Sequence, residues 1–285
     1  MTTTSARFVA WPVPKIPRSA DDVWSAGYPN FVAMVNQTNV MPGAFATLNT
    51  WALQSRMDQD STVLEVACTT GFSSRELARL TGCSATGFDL SADSVALAQY
   101  NHHGTGRDLR LQYVQADGTT YAPNRTFSHV VVGAALGFFP EPVAMAARLP
   151  HLLDDGGYVL ASPFWSDKPL PPDIAALRRD VFGISSPMET REQALALFKG
   201  LDVLYQADHA LVSESDADIQ HYCDSTVDRA CAQSGIEDPL VRAAMLARLR
   251  SIKRATNRLR EHQNYSVLVL RYNASTYPQR FVELF

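Results

Sequence analysis

The sequence predicts an α/β protein in which a mostly parallel sheet is covered by helices on both faces. Three observations predict it. From residue 62 onward, apolar β-like runs alternate with helix-like stretches, the order that gives parallel strands joined by crossover helices. Residues 130–132 are Val-Val-Val, the continuous apolar run of a strand buried on both faces. Three successive runs end in an acid, Glu65, Asp89 and Asp117, so one rim of the sheet collects three carboxylates. Ligands of such sheets bind beyond the carboxyl ends of the strands.

The elements follow in order. Residues 1–18 contain Pro12, Pro14 and Pro17 and read as an extended arm. Residues 20–57 read as two helical pieces, divided at 41–44 by Pro42 and Gly43. The first strand is 62–66, and Ser73-x-x-Glu76 has the spacing of a capping box opening the next helix. A second strand within 83–91 ends at Asp89, and Ser91 is placed to cap a helix running to about 102. The third, 109–117, alternates Leu109, Leu111 and Tyr113. A fourth spans 127–136, a helix 141–153, a turn 154–157 and a fifth strand 158–162. Helices are expected at 170–183 and 188–199, a strand at 201–213, helix again over 214–262 and a final strand at 264–272. The division is then an N-terminal arm and helical cover (1–57), an α/β core (58–213), a helical lid insertion (214–262), and a last core strand with tail (263–285). Within the lid, Asp238 and Pro239 suit a helix start, and Val241, Met245, Leu249 and Ile252 form an apolar stripe. The same helix carries Arg242, Arg248, Arg250, Lys253, Arg254, Arg258 and Arg260, a solvated face or an attraction for an acidic partner.

Composition narrows the class. At 285 residues and 46% hydrophobic, the chain can bury a sizeable core. A net charge of −4 argues against nucleic acid as a general partner. Cys68, Cys83, Cys223 and Cys231 make no CxxC and no metal-like spacing, so neither a disulfide framework nor a zinc site is expected. No apolar run has the length of a membrane span, and the first 19 residues lack the apolar core of a signal peptide, so a cytoplasmic location is expected.

The rim suits the polar edge of an adenosyl ligand. Asp89 can accept from both ribose hydroxyls, Asp117 from the adenine amino group, and the Gly118 amide can face a ring nitrogen. Small side chains over residues 67–71 let the backbone approach a ligand closely.

"VLEVACTTG", "GFDLS", "QADGTTY", "FSHVVVGAALGFFPEP" and "LLDDGGYVLASPF" stand in the order and spacing of five motifs. Here the chain resembles the class I S-adenosylmethionine-dependent methyltransferases, over about residues 60–200. The resemblance implies a Rossmann-like fold with a seven-stranded, mostly parallel sheet whose final antiparallel strand lies beside the fifth. It implies S-adenosyl-L-methionine as cofactor, held by Tyr28, Glu65, Ala67, Cys68, Thr69, Gly71, Asp89, Leu90, Asp117, Gly118, Gly133 and Ala134. Ala67 and Thr69 depart from the family, which has glycine at both positions; the Thr69 hydroxyl is a candidate partner for the methionine carboxylate. Ser128 stands where the family often has aspartate. A dinucleotide oxidoreductase would keep a glycine at 69 for the pyrophosphate, and threonine argues against it.

Methyl transfer is an in-line displacement that needs alignment and exclusion of water, and a base only if the nucleophile must lose a proton. No catalytic residue is therefore assigned. Phe31, Met41, Leu136, Phe138, Phe139, Phe164 and Trp165 are candidates for the substrate pocket, in competition with ordinary core positions. His209 and His221 border the lid and are weighed as bases; His102 and His103 suit a helix C-terminus, and His129 a strand core. The expected function is methyl transfer to a small molecule, with a natural-product intermediate as the resemblance-level guess. Two alternatives stand beside it: cyclisation of the cofactor's own aminobutyrate part with release of methylthioadenosine, or a non-catalytic binding protein. A small-molecule substrate is the expected partner, with neither nucleic acid nor membrane; an acidic carrier domain and a homodimer are left open.

Overall fold

The computed structural model describes residues 16–38, 40–104, 108–187 and 190–278. The alternating pattern becomes one sheet of β1 (Thr62–Val66), β2 (Ser84–Asp89), β3 (Leu111–Gln115), β4 (Phe127–Gly133), β5 (Leu153–Ala161), β6 (Phe164–Trp165), β7 (Asp202–Ala210) and β8 (Asn264–Arg271). The order is β3-β2-β1-β4-β5-β8-β6, with β7 on the free edge of β8. β1 to β5 pair in parallel, and β8 runs antiparallel to β5, β6 and β7. β6 resumes, after a break at Ser162 and Pro163, the pairing with β8 that β5 begins. The expected seven strands with one reversed strand beside the fifth are thus present, with β6 as a two-residue continuation.

Adjacent residues of the central strands face opposite layers. Leu64, Val130 and Val159 join one apolar cluster with Met145 of α6 (Pro142–Arg148). Val63, Val131 and Leu160 join the other, with Trp51 of α3 (Ala44–Gln54) and Leu77 of α4 (Phe72–Thr81). The chain leaves β1 toward β2 on one side and returns as β4 on the other, so the crevice between β1 and β4 is the topological switch point.

Two boundaries differ from expectation. β5 begins at Leu153 and runs through the Asp-Asp-Gly-Gly stretch expected to turn; its register slips between Phe127↔Leu153 and His129↔Tyr158, and Gly156 takes a φ of +80° there. The helical cover has three pieces, α1 (Ala20–Ser25), α2 (Tyr28–Met34) and α3, because the chain also breaks at Ala26 and Gly27.

The cover and the lid form one helical cap. Val23, Phe31 and Val35 pack among Ile219, Cys223 and Val227 of α9 (Asp216–Ser234) and Met245, Leu249 and Ile252 of α10 (Pro239–Arg260). Val181 and Phe182 of α7 (Pro172–Phe182) lean on the same core. Asp238 caps α10 by accepting from the Leu240 amide, with Pro239 in the first turn. Arg248 lies over the Phe31 ring at 4.5 Å and donates to the carbonyls of Val23 and Ala26. Arg242 pairs with Asp228, Arg250 with Asp224, Lys253 and Arg260 with Glu214, and Arg258 with Asp173. Most of the basic helix is therefore matched by acids of this chain. Among the described residues no helix is long and apolar enough to cross a membrane, and no His, Cys, Asp and Glu group is arranged for a metal.

Candidate active site

The turn after β1 alternates its backbone. Ala67, Thr69 and Gly71 have φ of 52°, 50° and 69°, all in the left-handed region, which costs a non-glycine residue about 1–2 kcal/mol. Neighbours hold it in place. The Cys68 amide donates to the Phe88 carbonyl at 2.9 Å, and the Thr69 amide to Asp89 Oδ2 at 2.9 Å. Arg75 Nη1 donates to the carbonyls of Thr70 and Gly71, and the Tyr113 hydroxyl to that of Gly71 at 3.3 Å. A Cβ on Gly71 would stand 2.5 Å from the Tyr113 oxygen, so only glycine fits there. The Thr69 hydroxyl donates to the Ala67 carbonyl at 3.2 Å.

Glu65 lies beneath this turn. Its two oxygens accept from the amides of Ser73 (3.2 Å) and Ser74 (3.0 Å), the orphan donors of the first turn of α4. The Ser73 capping box is therefore corrected: the helix starts earlier, after Gly71, and Glu65 supplies the cap that glycine lacks. Burial raises the Glu65 carboxyl above its usual range against these hydrogen bonds. Cys68 is buried beside it, its thiol raised by desolvation first and then by the charges of Glu65 and Asp89.

Asp89 accepts from the Ser91 amide on Oδ1 and the Thr69 amide on Oδ2, both at 2.9 Å. Burial raises its carboxyl against the backbone hydrogen bonds from Ser91, Thr69 and Leu90. Leu90 next to it is 70% exposed, a bare apolar surface on the rim. The Ala116 amide donates to the Asp89 carbonyl at 3.0 Å, which places Asp89 and Asp117 on one edge. Asp117 is exposed; Thr119 donates to its Oδ1 from hydroxyl and amide, holding the carboxyl below its usual range. Gly118 is buried, and a Cβ there would meet Phe139 at 2.8 Å and Phe88 at 3.0 Å. Gly133 closes β4 with φ of +55°, its carbonyl accepting from the Ser162 amide, and half-buried Ala134 follows. Met41 packs 3.7 Å from where a Gly133 side chain would begin.

The aromatic candidates separate. Tyr28 lies parallel to Phe138 with ring centres 6.5 Å apart, and edge-on to Phe182 at 5.1 Å. Burial, then the nearby Tyr222, pushes the Tyr28 phenol up to about 12. Phe138 is 49% exposed at the end of the 3₁₀ turn Ala135–Phe138 that leaves β4. Half-buried Phe139 lies against Gly118, and half-buried Phe164 stands opposite Tyr265. Three pocket candidates are placed elsewhere. Phe31 is fully enclosed by the cap helices under Arg248, because α2 turns that face toward α10. Leu136 belongs to the core on one face of the sheet. Trp165 is buried and donates its indole N–H to Ser266 at 3.0 Å, tying β6 to β8. His129 is a core residue, its ring nitrogens at 2.8 Å from the Ser128 hydroxyl and 3.2 Å from the Ser55 carbonyl, and burial lowers its pKa. Exposed His209 stacks on Tyr265 at 5.1 Å, and exposed His221 lies on α9.

Sequence reasoning missed Tyr113, Asn30 and Phe182. Tyr113 pairs in register with Gly87, where a Cβ would meet the tyrosine at 2.8 Å; glycine opposite an aromatic was the available signal. Asn30 accepts from the Ser91 hydroxyl at 2.9 Å and ties α2 to the Asp89 turn, with no local mark in the sequence.

Residues 63–157, β1 to the bulge of β5, match the sequence family described as Methyltransferase domain. Over this third of the chain the sequence is similar to methyltransferase domains. An uncharacterized protein of Haemophilus influenzae is 31% identical over 113 residues, 39% of this chain and 45% of the relative, so the match spans under half of that relative. Among solved structures, the MccD protein superposes with a TM-score of 0.67 at 22% identity, covering 83% of this chain and 100% of that one. A SAM-dependent methyltransferase from Geobacter sulfurreducens in complex with S-adenosyl-L-homocysteine gives 0.60 at 20%, covering 84% and 96%. The [4+2]-cyclase SpnF gives 0.61 at 18%, covering 92% and 98%. At these identities the structural matches establish the fold alone: the chain carries a Rossmann-like sheet, and the likeness extends into the cap.

Proposed function

We propose that the chain is an S-adenosylmethionine-dependent methyltransferase acting on a small molecule enclosed between the rim and the cap. The observation that carries it is the alternating left-handed turn at 67, 69 and 71, latched to Asp89, with Asp117 on the same edge. The donor set fits the cofactor. Asp89 is a carboxylate acceptor on the rim suited to ribose hydroxyls, exposed Asp117 presents a second carboxylate on the same edge, and Leu90 offers an apolar face to a flat base. When bound, S-adenosylmethionine supplies a methyl group activated by the sulfonium.

The chain's own residues align and exclude. Gly133 and Ala134 bring backbone to the position beyond β4, and Tyr28 and Phe138 present ring faces favourable to a cation. With its phenol near 12, Tyr28 stays neutral and serves as a donor, not a base. A cap over the rim would exclude water from the transfer and limit the acceptor to a small molecule. Natural-product tailoring is the reading we attach to this enclosure. Calorimetry with S-adenosylhomocysteine, then assay of methyl transfer to a small-molecule panel, tests it; absence of affinity for either cofactor form would leave a non-catalytic protein on this fold.

A second reading rests on Ala67 and Thr69, which put β-carbons into the left-handed turn where the methionine part would lie. There the α-amine attacks its own γ-carbon: a C–N bond forms, the C–S bond breaks with its electron pair on sulfur, and the amine proton passes to water. The [4+2]-cyclase neighbour supports the view that this fold hosts ring-forming chemistry. Incubation with S-adenosylmethionine alone distinguishes the two, since only cyclisation releases methylthioadenosine without an acceptor.

A further inference from the structure

We infer that Asn36 and Asn101 are positioning residues: their paired amides connect the cap to the 67–71 turn, so that cofactor binding and cap docking reinforce each other. This inference rests on the cofactor reading above. Asn36 sits just past α2 in the left-handed region, with φ of 44°. Its Nδ2 donates to Asn101 Oδ1 at 3.1 Å and to Gln233 Oε1 of α9 at 3.0 Å. Asn101, on α5 (Ala92–His103), returns a bond from its own Nδ2 to Asn36 Oδ1 at 3.1 Å. The same Nδ2 reaches the Thr70 carbonyl at 3.4 Å, inside the turn. Arg229 of α9 donates to the Asn36 carbonyl at 2.9 Å.

One asparagine therefore meets α9 on one side and α5 on the other, and its partner touches the turn. The turn residue they reach, Thr70, is buried and is also gripped by Arg75. A reciprocal amide pair fixes both rotamers, since a flipped amide would set donor against donor. Its members have discrete arrangements, made or broken, as coupling between two sites requires. Cofactor contacts that order residues 69–71 would hold the Thr70 carbonyl where Asn101 can reach it. Asn101 then holds Asn36, and Asn36 holds Gln233 and Arg229.

The test is hydrogen–deuterium exchange of the full chain with S-adenosylhomocysteine, together with its affinity by calorimetry. In the wild type, the ligand slows exchange over residues 67–74 and also over α9. Asn101→Leu abolishes the α9 response and weakens S-adenosylhomocysteine by about 10-fold. Asn36→Ala with Asn101→Ala together lose no more affinity than either alone, because both act through one junction. Should Asn101→Leu not fold, Asn36→Asp, which keeps the shape and replaces the donor by an acceptor, makes the same test. An α9 response that survives these changes, or losses that multiply in the double variant, overturns the inference. Wild-type binding with no α9 response overturns it while sparing the cofactor reading; no binding at all overturns both.

Discussion

Replacing Ala67 by glycine tests the turn geometry on which the site depends. Ala67 has φ of 52°, and glycine there relieves about 1–2 kcal/mol of left-handed strain. Glycine also frees the unfolded chain, which costs about 0.4–1 kcal/mol. Ala67 is half-buried against the core, so the lost methyl costs about 0.4 kcal/mol, half the value for a fully buried one. At mid-range the three sum to a gain of about 0.4 kcal/mol. Ala134 is the control: it is also half-buried but has φ of −105°, so Ala134→Gly has the two losses without the relief, about 1.1 kcal/mol. The gap of about 1.5 kcal/mol isolates the strain, because the other two contributions cancel between variants. Urea denaturation followed by circular dichroism resolves it, and a thermal scan of a chain this long separates the midpoints by about 2–3 °C. If Ala67→Gly costs as much as Ala134→Gly, residue 67 is not left-handed, and the close backbone approach argued from it fails. Thr69→Gly, with φ of 50° relieved but the hydroxyl bond to Ala67 lost, falls below Ala67→Gly by about 1 kcal/mol.

Four further outcomes are expected. Gly118→Ala drives a methyl against the edges of Phe139 and Phe88 and destabilises by about 1–3 kcal/mol in the same denaturation assay. Arg248→Met removes a cationic donor from two carbonyls of the cover and destabilises by about 2–3 kcal/mol, with faster amide exchange in α1. Asp89 must be ionised to accept from two hydroxyls, and burial raises its pKa above 3.8; affinity for S-adenosylhomocysteine should decline with falling pH sooner than an exposed aspartate would give, a dependence that Asp89→Asn abolishes along with most of the affinity. Glu65 has a folded pKa above its ordinary 4.5, so between the two values the folded state holds more protons, and this group's contribution to stability decreases as pH rises through that window. Glu65→Gln removes that slope and sets an NH₂ against one α4 amide, costing about 1–3 kcal/mol by urea denaturation across pH.

What was legible in the sequence was local. An apolar run ending in an acid fixes a strand and its rim residue together, so the pattern alone puts Asp89 and Asp117 on one edge, as the β2–β3 pairing does. The Asp238-Pro239 helix start and the Ser91 cap were equally local. Glu65 shows where locality ends. An acid at a strand end reads alike whether it faces a ligand or helix amides, and its partners follow from α4 starting after a left-handed Gly71. Phe31 fails in the same way at longer range. Its neighbours Met245 and Leu249 lie over two hundred positions on, and the helical spacing of α2 cannot say which of a substrate and a second helix will cover that face.

In the turn after β1, neighbours hold a geometry that two of its residues disfavour. Glycine at 67 and 69 would adopt the turn at little steric cost, whereas alanine and threonine leave about 2–4 kcal/mol of strain to be offset. The offset comes from outside the turn: the Asp89 carboxylate on the Thr69 amide, the Phe88 carbonyl on the Cys68 amide, and Arg75 with Tyr113 on the Gly71 carbonyl. At about 1 kcal/mol each, more where a charge takes part, four such bonds match the strain. Position 71 has no such freedom, since a side chain there would strike Tyr113, one of the groups that hold the turn. Gly71 is the residue whose replacement would dismantle the support, and alanine and threonine at 67 and 69 stand where the support suffices.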